Sequence, residues 1–315
     1  MSTSHAEFGE RTTGDEVVSA FADRVKGRIF VLTGPSATSI GAATLTSLAK
    51  AHPAALVLAG RNPATFSSVV DEIKRIDSKI KVVTVVLDLS SLAGTRKAAA
   101  ELLGNADIPH IDVLINNAGI MATPFEKTAD GIESQFHACH IGHWLFTNLL
   151  LPKLRAAREP VVVNVTSSGH RYGTGEFDDV NFEKKPYNAW AAYGQAKCAN
   201  ILFSVSLTER GIKSTAVHPG LVGTGLGKYL NDELLKELMT VWIPNTPNME
   251  ALTYRKTLED GCSTTLVAAL DPKVPGAAYL RDCQVGEDVA PQAVDKAKAA
   301  KLWELSNALT GEAFA

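Results

Sequence analysis

The chain has 315 residues, of which 45% are hydrophobic and 21% are charged, and its 31 basic and 34 acidic side chains give a formal net charge of −3. A nearly neutral chain lacks the basic excess that binds phosphate backbones, so the composition argues against a nucleic-acid partner. Balanced charge with high apolar content also argues against disorder. This length is compatible with one α/β domain or with two domains.

Cysteine spacing and the N-terminal residues bear on the compartment. The cysteines form no C-x-x-C pair, which argues against a zinc ribbon or a disulfide framework and favours a reducing, cytoplasmic setting; they are Cys139, Cys198, Cys262 and Cys283. Residues 1–25 carry charges throughout and contain no apolar core of a secretory signal. No apolar run is long enough for a membrane span. We therefore expect a cytoplasmic protein with a polar N-terminal extension over residues 1–25.

From residue 26 onward, short β-branched runs alternate with longer helical patterns. Nearly continuous apolar runs are typical of strands that are buried on both faces of a parallel sheet. The candidate strands cover residues 28–33, 55–59, 81–87, 112–116, 161–166 and 214–218. This alternation predicts an α/β fold with a doubly wound parallel sheet, formed by residues 26–315 as a single domain.

Local signals predict a helix start and a lid. Asn62 before Pro63 predicts a capped helix, and Asp71 four residues before Arg75 predicts an ion pair on that helix. Residues 221–249 combine a glycine-rich stretch, an amphipathic run and a segment rich in proline and asparagine. We expect them to form a lid over a bulky, mostly apolar small molecule; the alternatives are a surface connection, or packing onto the core or a partner subunit.

The first predicted strand ends in the sequence TGPSATSIG, residues 33–41, and a helical pattern follows. Such a turn presents backbone amides and a helix N-terminus to a pyrophosphate. The turn has only two glycines, Gly34 and Gly41, and no P-loop lysine. On its own it is therefore compatible both with a nucleotide site and with an ordinary strand–helix connection.

Tyr193 and Lys197 lie four residues apart on a predicted helix. They share one helix face, so the ammonium can approach the phenol and favour its ionised form. Such a tyrosine could exchange a proton with a carbonyl or an alcohol near neutral pH, although the pair alone is more typical of a solvated helix face. Ser167 and Ser168 follow a predicted strand, at the sheet edge where ligands of α/β folds bind.

Taken in chain order, these motifs resemble the short-chain dehydrogenase/reductase family over about residues 27–310. The motifs are TG…IG, Asp88-Leu89, the turn Asn116-Asn117-Ala118-Gly119, Ser167, Tyr193-x-x-x-Lys197 and Pro219-Gly220. The segments INNAGIM, HIGHWLFTNLLLPKL, VNVTSSGHRYG and AAYLRDCQV are most similar to the retinol-dehydrogenase-like and WW-domain-oxidoreductase-like branch, which is common among fungal reductases.

The resemblance implies a Rossmann fold and an oxidoreductase that interconverts a carbonyl and an alcohol on a small molecule, with secondary metabolism as a candidate setting. It also implies a homodimer or homotetramer that assembles through the helices containing His143 and Tyr193.

The resemblance assigns roles to individual residues. Tyr193 would be the general acid or base, Lys197 would lower its pKa and hold the nicotinamide ribose, and Ser167 rather than Ser168 would bind the substrate oxygen. The positions that would contact the cofactor are Gly34, Ser36, Ser39, Ile40, Gly41, Arg61, Asp88, Leu89, Asn116, Asn117, Ala118, Tyr193, Lys197, Pro219, Val222 and Thr224.

The residue that follows the second predicted strand bears on the choice of cofactor. An acidic residue there would accept the ribose 2′-OH of NAD, whereas an arginine can pair with the 2′-phosphate of NADP. This sequence has Gly60-Arg61 and no acid at that point. We therefore expect NADP(H); the alternative is that Arg61 is an ordinary solvated charge.

Two positions depart from the family pattern. Ser39 replaces a glycine of the turn, and we expect its Cβ to crowd the pyrophosphate or to require a local shift. Cys139 replaces the family's fourth catalytic residue, an asparagine that shapes a helix kink whose carbonyl holds a water in the proton relay. A thiol forms weaker hydrogen bonds, so we expect an altered relay with residual redox activity. These departures motivate an alternative function, either a non-redox cyclase or isomerase on a natural-product intermediate or a nucleotide-binding sensor.

His137, His140 and His143 recur at every third residue and raise the question of a metal site. This spacing spreads them over about 120° of a helix, and no carboxylate accompanies them, so we expect no metal. Only His140 stands near Cys139 to lower its pKa, which argues against a nucleophilic cysteine. Trp144 is expected to pack against the sheet or a partner subunit.

Overall fold

The computed structural model describes residues 3–246 and 254–315. In these ranges the strands are β1 Ile29–Thr33, β2 Ala55–Gly60, β3 Lys81–Val86, β4 Val113–Asn116, β5 Val161–Val165, β6 Lys213–His218, β7 Leu221–Val222, β8 Arg255–Lys256, β9 Tyr279–Arg281 and β10 Gln284–Val285. The main sheet has the order β10-β9-β6-β5-β4-β1-β2-β3, in which only β10 is antiparallel to its neighbour, while β7 and β8 form a separate parallel pair.

Helices cover both faces of the main sheet. They are α1 Gly14–Ala20, α2 Ile40–Ala49, α3 Ser67–Ile76, α4 Leu92–Gly104, α5 Ser134–Phe136, α6 Gly142–Leu149, α7 Leu151–Arg155, α8 Ala189–Glu209, α9 Asp232–Glu237, α10 Leu258–Leu270 and α11 Lys296–Thr310. One core packs α1, α2, α3 and α10 on one face, and a second core packs α4, α6, α8 and α11 on the other. No helix in the described part of the chain is long and apolar enough to cross a membrane.

Strand β1 is apolar from Ile29 to Leu32 because successive side chains enter opposite cores. Ile29 and Val31 belong to one core, whereas Phe30 and Leu32 belong to the other. The prediction of a doubly wound α/β sheet in a single domain is confirmed. At the sheet edge, however, the expectation of burial on both faces is wrong, because β3 has one neighbour and its Val86 is 56% exposed.

Two local predictions change in the structure. Asn62 does accept the amide of Ala64, but it caps a short 3₁₀ turn at Pro63–Thr65, and α3 begins only at Ser67. On α3, Arg75 pairs with Glu72, with 2.6 Å between Nη2 and Oε1, and not with Asp71. The predicted ion pair was therefore wrong in its acidic partner.

The N-terminal extension contributes to the core. The side chain of Thr13 caps α1 together with Glu16, and Val17 and Val18 of α1 are buried. Gly14 lies so close to α10 that a Cβ there would come within 2.4 Å of Cys262 Sγ. This segment therefore packs against the same face of the sheet as α10.

Helix α11 covers α6 and α8 on the other face. The Trp303 ring centre lies 5.4 Å from that of Trp144 and 6.2 Å from that of Phe203. Every residue from Gly142 to Asn148 in α6 is buried. The faces of α6 and α8 that contact α11 are therefore inaccessible to a partner subunit, which is a difference from the assembly surface that the family resemblance implies.

Candidate active site

The predicted site residues lie at the carboxyl ends of parallel strands, which meet at one edge of the sheet. Gly34 follows β1, Arg61 follows β2, and Asn117 follows β4. Thr166 and Ser167 follow β5, and Pro219 follows β6. Residues that are far apart in the sequence are therefore brought to a common edge.

The turn between β1 and α2 has the geometry of an anion-binding turn. Gly34 has a φ of +74°, and a Cβ there would lie 2.9 Å from Cα of Ala118. A Cβ on Gly41 would lie 2.6 Å from the Gly34 carbonyl oxygen. The amides of Ile40 and Gly41 open the ten-residue helix α2 without an acceptor in the described chain, and Ser36 is exposed. These features fit the pyrophosphate of a dinucleotide.

Ser39 fits this turn without backbone strain. Its φ is −119°, an extended conformation that needs no glycine. Its hydroxyl accepts a hydrogen bond from the amide of Ala42 at 3.2 Å and donates one to the Gly34 carbonyl at 3.2 Å. Ser39 is therefore the N-cap of α2, and its backbone conformation requires no local shift.

The adenosine side of the predicted site contains Arg61, Asp88 and Leu89. Arg61 is exposed directly after β2. Asp88 is half-buried, and its Oδ1 accepts the amide of Ser90 at 3.0 Å. Leu89 is buried, and a Cβ on Gly142 would lie only 2.4 Å from the Leu89 carbonyl oxygen. The Leu89 side chain thus packs into the core, whereas Arg61 is free to approach a ligand.

The residues after β4 join this strand to β1. The amides of Asn117 and Ala118 each donate to Thr33 Oγ1 at 3.0 Å, and Asn117 Nδ2 donates to the Thr33 carbonyl at 2.9 Å. Asn116 is buried and donates to Thr147 Oγ1 at 2.9 Å. The structure therefore places the Asn116 side chain in the interior, away from the predicted cofactor turn.

Ser167, Tyr193 and Lys197 come together between β5 and α8. The side chain of Ser167 accepts the amide of Gly169 at 3.1 Å, and a Cβ on Gly169 would lie 3.2 Å from Tyr193 Cε1 and 3.4 Å from Ser167 Oγ. Lys197 Nζ donates to the carbonyl of Val165 at 3.1 Å and lies 5.6 Å from the centre of the Tyr193 ring. Gly169 thus allows the serine turn to approach the tyrosine.

Burial raises the pKa of Tyr193, and a hydrogen bond with the side chain of Ser167 opposes this rise. Burial also lowers the pKa of Lys197. Ser167 therefore opposes the rise in the tyrosine pKa. The effect that the sequence predicts for Lys197 on the same pKa stays a prediction. The contact with Tyr193 distinguishes Ser167 from Ser168, which opens the 3₁₀ turn Ser168–Tyr172.

Cys139 occupies a π-helical turn, His137–Ile141, between α5 and α6. Its Sγ lies 3.4 Å from the amide nitrogen of Ile120 and 3.4 Å from the carbonyl oxygen of the same residue. The helix is therefore kinked at this position although the residue is cysteine. Burial raises the pKa of the Cys139 thiol, which argues against a role as a nucleophile.

His143 links Cys139 to the glycine turn, a role that its sequence pattern did not reveal. The Thr33 hydroxyl accepts two backbone amides, so its proton is directed to His143 Nε2 at 2.8 Å. The proton of His143 is then on Nδ1, which donates to the Cys139 carbonyl at 3.1 Å. The signal that could have indicated this contact is the spacing of four residues, one helical turn, between Cys139 and His143.

The three spaced histidines have separate partners. His137 Nδ1 contacts Thr128 Oγ1 at 2.8 Å, and His140 Nε2 contacts Ser306 Oγ at 3.2 Å. Burial lowers the pKa of His137 and His143 to about 4 and that of His140 to about 3. Among the residues that the structure describes, no three histidine, cysteine or acidic side chains converge as metal ligands.

The opposite wall of the site follows β6. Pro219 is buried, Gly220 has a φ of +87°, and Val222 packs against α10, where a Cβ on Gly261 would lie 2.6 Å from Val222 Cγ2. Thr224 Oγ1 accepts the amide of Leu226 at 3.2 Å and so caps the next turn. Because of its contact with Gly261, the Val222 side chain is directed to α10.

The described part of the predicted lid rests on the start of α8; its residues 247–249 lie outside the described ranges. The indole of Trp190 donates to the Leu234 carbonyl at 3.0 Å, and Asn188 Nδ2 donates to Glu237 Oε1 at 2.6 Å. The Trp242 ring centre lies 5.0 Å from that of Tyr172, which is in the serine turn. The lid segment therefore contacts the elements that carry Ser167 and Tyr193.

Comparison with known proteins agrees with this geometry. A family model described as short chain dehydrogenase matches residues 28–235. Human retinol dehydrogenase 14 is 38% identical over 231 residues, which cover 71% of this chain and 66% of that protein. Human retinol dehydrogenase 12 is 35% identical over 295 residues, which cover 91% and 88%. A crystal structure of an uncharacterised protein from Mycobacterium paratuberculosis is 31% identical, covers 92% of this chain and 96% of that chain, and superposes with a TM-score of 0.68.

These matches confirm the family resemblance and its retinol-dehydrogenase-like branch, and the chain therefore belongs to the short-chain dehydrogenase/reductase family, whose members are oxidoreductases that use nicotinamide cofactors.

Proposed function

We propose that this chain is an NADP(H)-dependent oxidoreductase that interconverts a ketone or aldehyde and the corresponding alcohol on a bulky, mostly apolar molecule. The observation that carries the proposal is the close approach of the Ser167 turn to Tyr193, beside Lys197 and at the same sheet edge as the glycine turn. This arrangement supplies a proton donor and a hydrogen-bonding hydroxyl next to a turn that fits a dinucleotide.

The bound cofactor would supply or accept the hydride. The Tyr193 phenol would donate a proton to the carbonyl oxygen during reduction, and the Ser167 hydroxyl would orient that oxygen. Because burial raises the pKa of Tyr193, the phenol is protonated near neutral pH and can act as the acid when a carbonyl is reduced. The Lys197 ammonium, held by the Val165 carbonyl, would stabilise the phenolate that remains after proton transfer.

Arg61 supports the preference for NADP(H). It is exposed, it follows β2 at the sheet edge, and no acidic residue occupies that strand end. A guanidinium there can form charge-assisted hydrogen bonds with a 2′-phosphate.

The exposed apolar side chains of the predicted lid support the proposal of an apolar substrate. Leu235 is 42% exposed, Met239 62% and Val241 49%, all in the segment that contacts Tyr172 and Trp190. A surface of large apolar side chains next to a catalytic tyrosine is suited to a bulky apolar ligand.

The test is NADPH consumption with a panel of bulky ketones and aldehydes. Tyr193→Phe removes the proton donor and is expected to lower kcat by about 10² to 10⁴-fold. Ser167→Ala should also lower kcat, whereas Ser168→Ala is the matched control and should keep the wild-type rate. Equal rates for wild type and Tyr193→Phe would refute the proposed mechanism. A product of unchanged oxidation state, formed without net NADPH consumption, would favour a cyclase or isomerase instead.

A further inference from the structure

The hairpin between β9 and β10 has an unusual turn. Asp282 and Cys283 have φ values of +47° and +63°, a region that side-chain-bearing residues rarely adopt. The turn belongs to the segment AAYLRDCQV, for which the proposed reaction has no role. A strained turn persists where surrounding contacts hold it, so the contacts of Arg281 and Asp282 are informative.

Asp282 connects the turn to the wall that follows β6. Its Oδ1 lies 2.7 Å from Lys256 Nζ, and the Lys256 side chain is only 2% exposed. The stem of this lysine fills the space beside Gly220, where a Cβ would lie 2.8 Å from Lys256 Cδ and Cε. Lys256 is also the register partner of Val222. Asp282 thus holds the lysine that supports residues 219–222.

Arg281 connects the same turn to the serine wall. Its Nη1 lies 2.7 Å from Asp288 Oδ2, and Arg171 Nη2 lies 2.5 Å from the same oxygen and also donates to the Asp288 carbonyl. Arg171 belongs to the 3₁₀ turn that follows Ser167. Its side chain is 5% exposed, so the pair is shielded from solvent.

His170 completes this second connection. The amide of Ala290 donates to His170 Nε2 at 3.1 Å, so the ring proton is on Nδ1, which donates to the Ser167 carbonyl at 2.6 Å. The segment at residues 288–290 therefore contacts the serine turn through both His170 and Arg171.

We propose that Asp282 and Asp288 are positioning residues that fix the two walls of the active site relative to each other. Asp282 acts through Lys256 on residues 219–222, which are on the proposed nicotinamide side. Asp288, which Arg281 of the same hairpin binds, acts through Arg171 on the turn that carries Ser167. The kinetic part of this inference rests on the proposed function. Small errors in the placement of reacting groups have large effects on rate, so such positioning matters for catalysis.

The test uses two matched substitutions in the full chain. Asp282→Asn removes the partner of Lys256 but keeps a residue that tolerates positive φ. It should raise the Kd for NADPH about tenfold and leave kcat at saturating cofactor within about twofold. Asp288→Asn should do the reverse, with kcat about tenfold lower and the NADPH Kd within about twofold. Asp107→Asn breaks the exposed ion pair with Lys81 and is the control.

Hydrogen exchange is the second readout, and it does not depend on activity. Asp282→Asn should speed amide exchange in residues 219–224 and not in 167–173, and Asp288→Asn should show the opposite pattern. If both variants change the same kinetic parameter alike, or only lower Tm, or leave exchange unchanged, the proposal is wrong. If the wild type neither binds NADPH nor reduces carbonyls, the proposed function fails, and the exchange pattern alone decides the positioning role.

Discussion

Cys139 allows a quantitative test of how this chain replaces the family's asparagine. Its buried Sγ sits between the amide and the carbonyl of Ile120, at 3.4 Å from each, so the thiol can accept from one and donate to the other. An asparagine side chain has the same two functions, in a carbonyl oxygen and an amino group. Cysteine therefore reproduces the bonding pattern of asparagine with weaker hydrogen bonds.

The expected changes in the free energy of unfolding follow from these contacts. Cys139→Ala removes one buried heavy atom, at about 1 kcal/mol for transfer and cavity, and two weak hydrogen bonds at about 0.5 kcal/mol each. It should therefore lower stability by about 2 kcal/mol. Cys139→Asn exchanges the weak hydrogen bonds for two amide hydrogen bonds of about 1 kcal/mol each. It should raise stability by about 1 kcal/mol.

Urea unfolding of the three proteins, followed by tryptophan fluorescence, measures these differences through the midpoint at constant m-value. The order expected is asparagine above cysteine above alanine. An alanine variant as stable as wild type would show that the sulfur contacts carry no energy. An asparagine variant less stable than the alanine variant would show that the π turn has no room for the amide. Either result would refute the argument that the thiol stands in for the amide.

Two further predictions concern the cofactor and pH. Arg61→Ala should weaken NADPH binding by about 10 to 100-fold and leave NADH binding unchanged, because only the contact with the 2′-phosphate is lost; fluorescence titration with both cofactors checks this, and an unchanged affinity ratio would contradict the assignment. Burial lowers the pKa of five histidines in the folded protein, to about 4 for His137, His143 and His170 and to about 3 for His140 and His218. Histidines in the unfolded chain titrate near about 6.5. Unfolding should therefore take up protons below pH 6.5. Stability should then fall as pH drops from 6.5 towards 4, by at most about 1.4 kcal/mol per pH unit for each histidine; a urea midpoint that is constant between pH 6.5 and 4.5 would refute it.

The sheet was predictable from sequence where strands are long and lie between two cores. β1 and β2 each have five consecutive apolar or β-branched residues, β5 has four valines around Asn164, and the predicted ranges agree with the observed ones to within one residue. β9 was missed because it has only three residues and ends in Arg281. Its pairing with β6 comes from tertiary contacts that no local pattern encodes.

The site was predictable to the extent that topology determines it. The parallel sheet brings Ser167 to the edge that α8 approaches with Tyr193, and this follows from strand order alone. The direction of the tyrosine pKa was not predictable from the spacing to Lys197, because it depends on burial, and Tyr193 is only 4% exposed. The contacts of Arg171 with Asp288 were likewise missed, because they join residues 117 positions apart.

The two departures from the family pattern concern residue identity more than geometry. Gly34 cannot be replaced without strain, because its φ is +74° and a Cβ would strike Ala118. Ser39 has extended backbone, and its side chain adds an N-cap that is typically worth about 1 kcal/mol. Cys139 lies in a π-helical turn and contacts both the amide and the carbonyl of Ile120. Neither Ser39 nor Cys139 disturbs the arrangement of Ser167, Tyr193 and Lys197 on which the redox proposal rests, so the redox proposal is the stronger of the two.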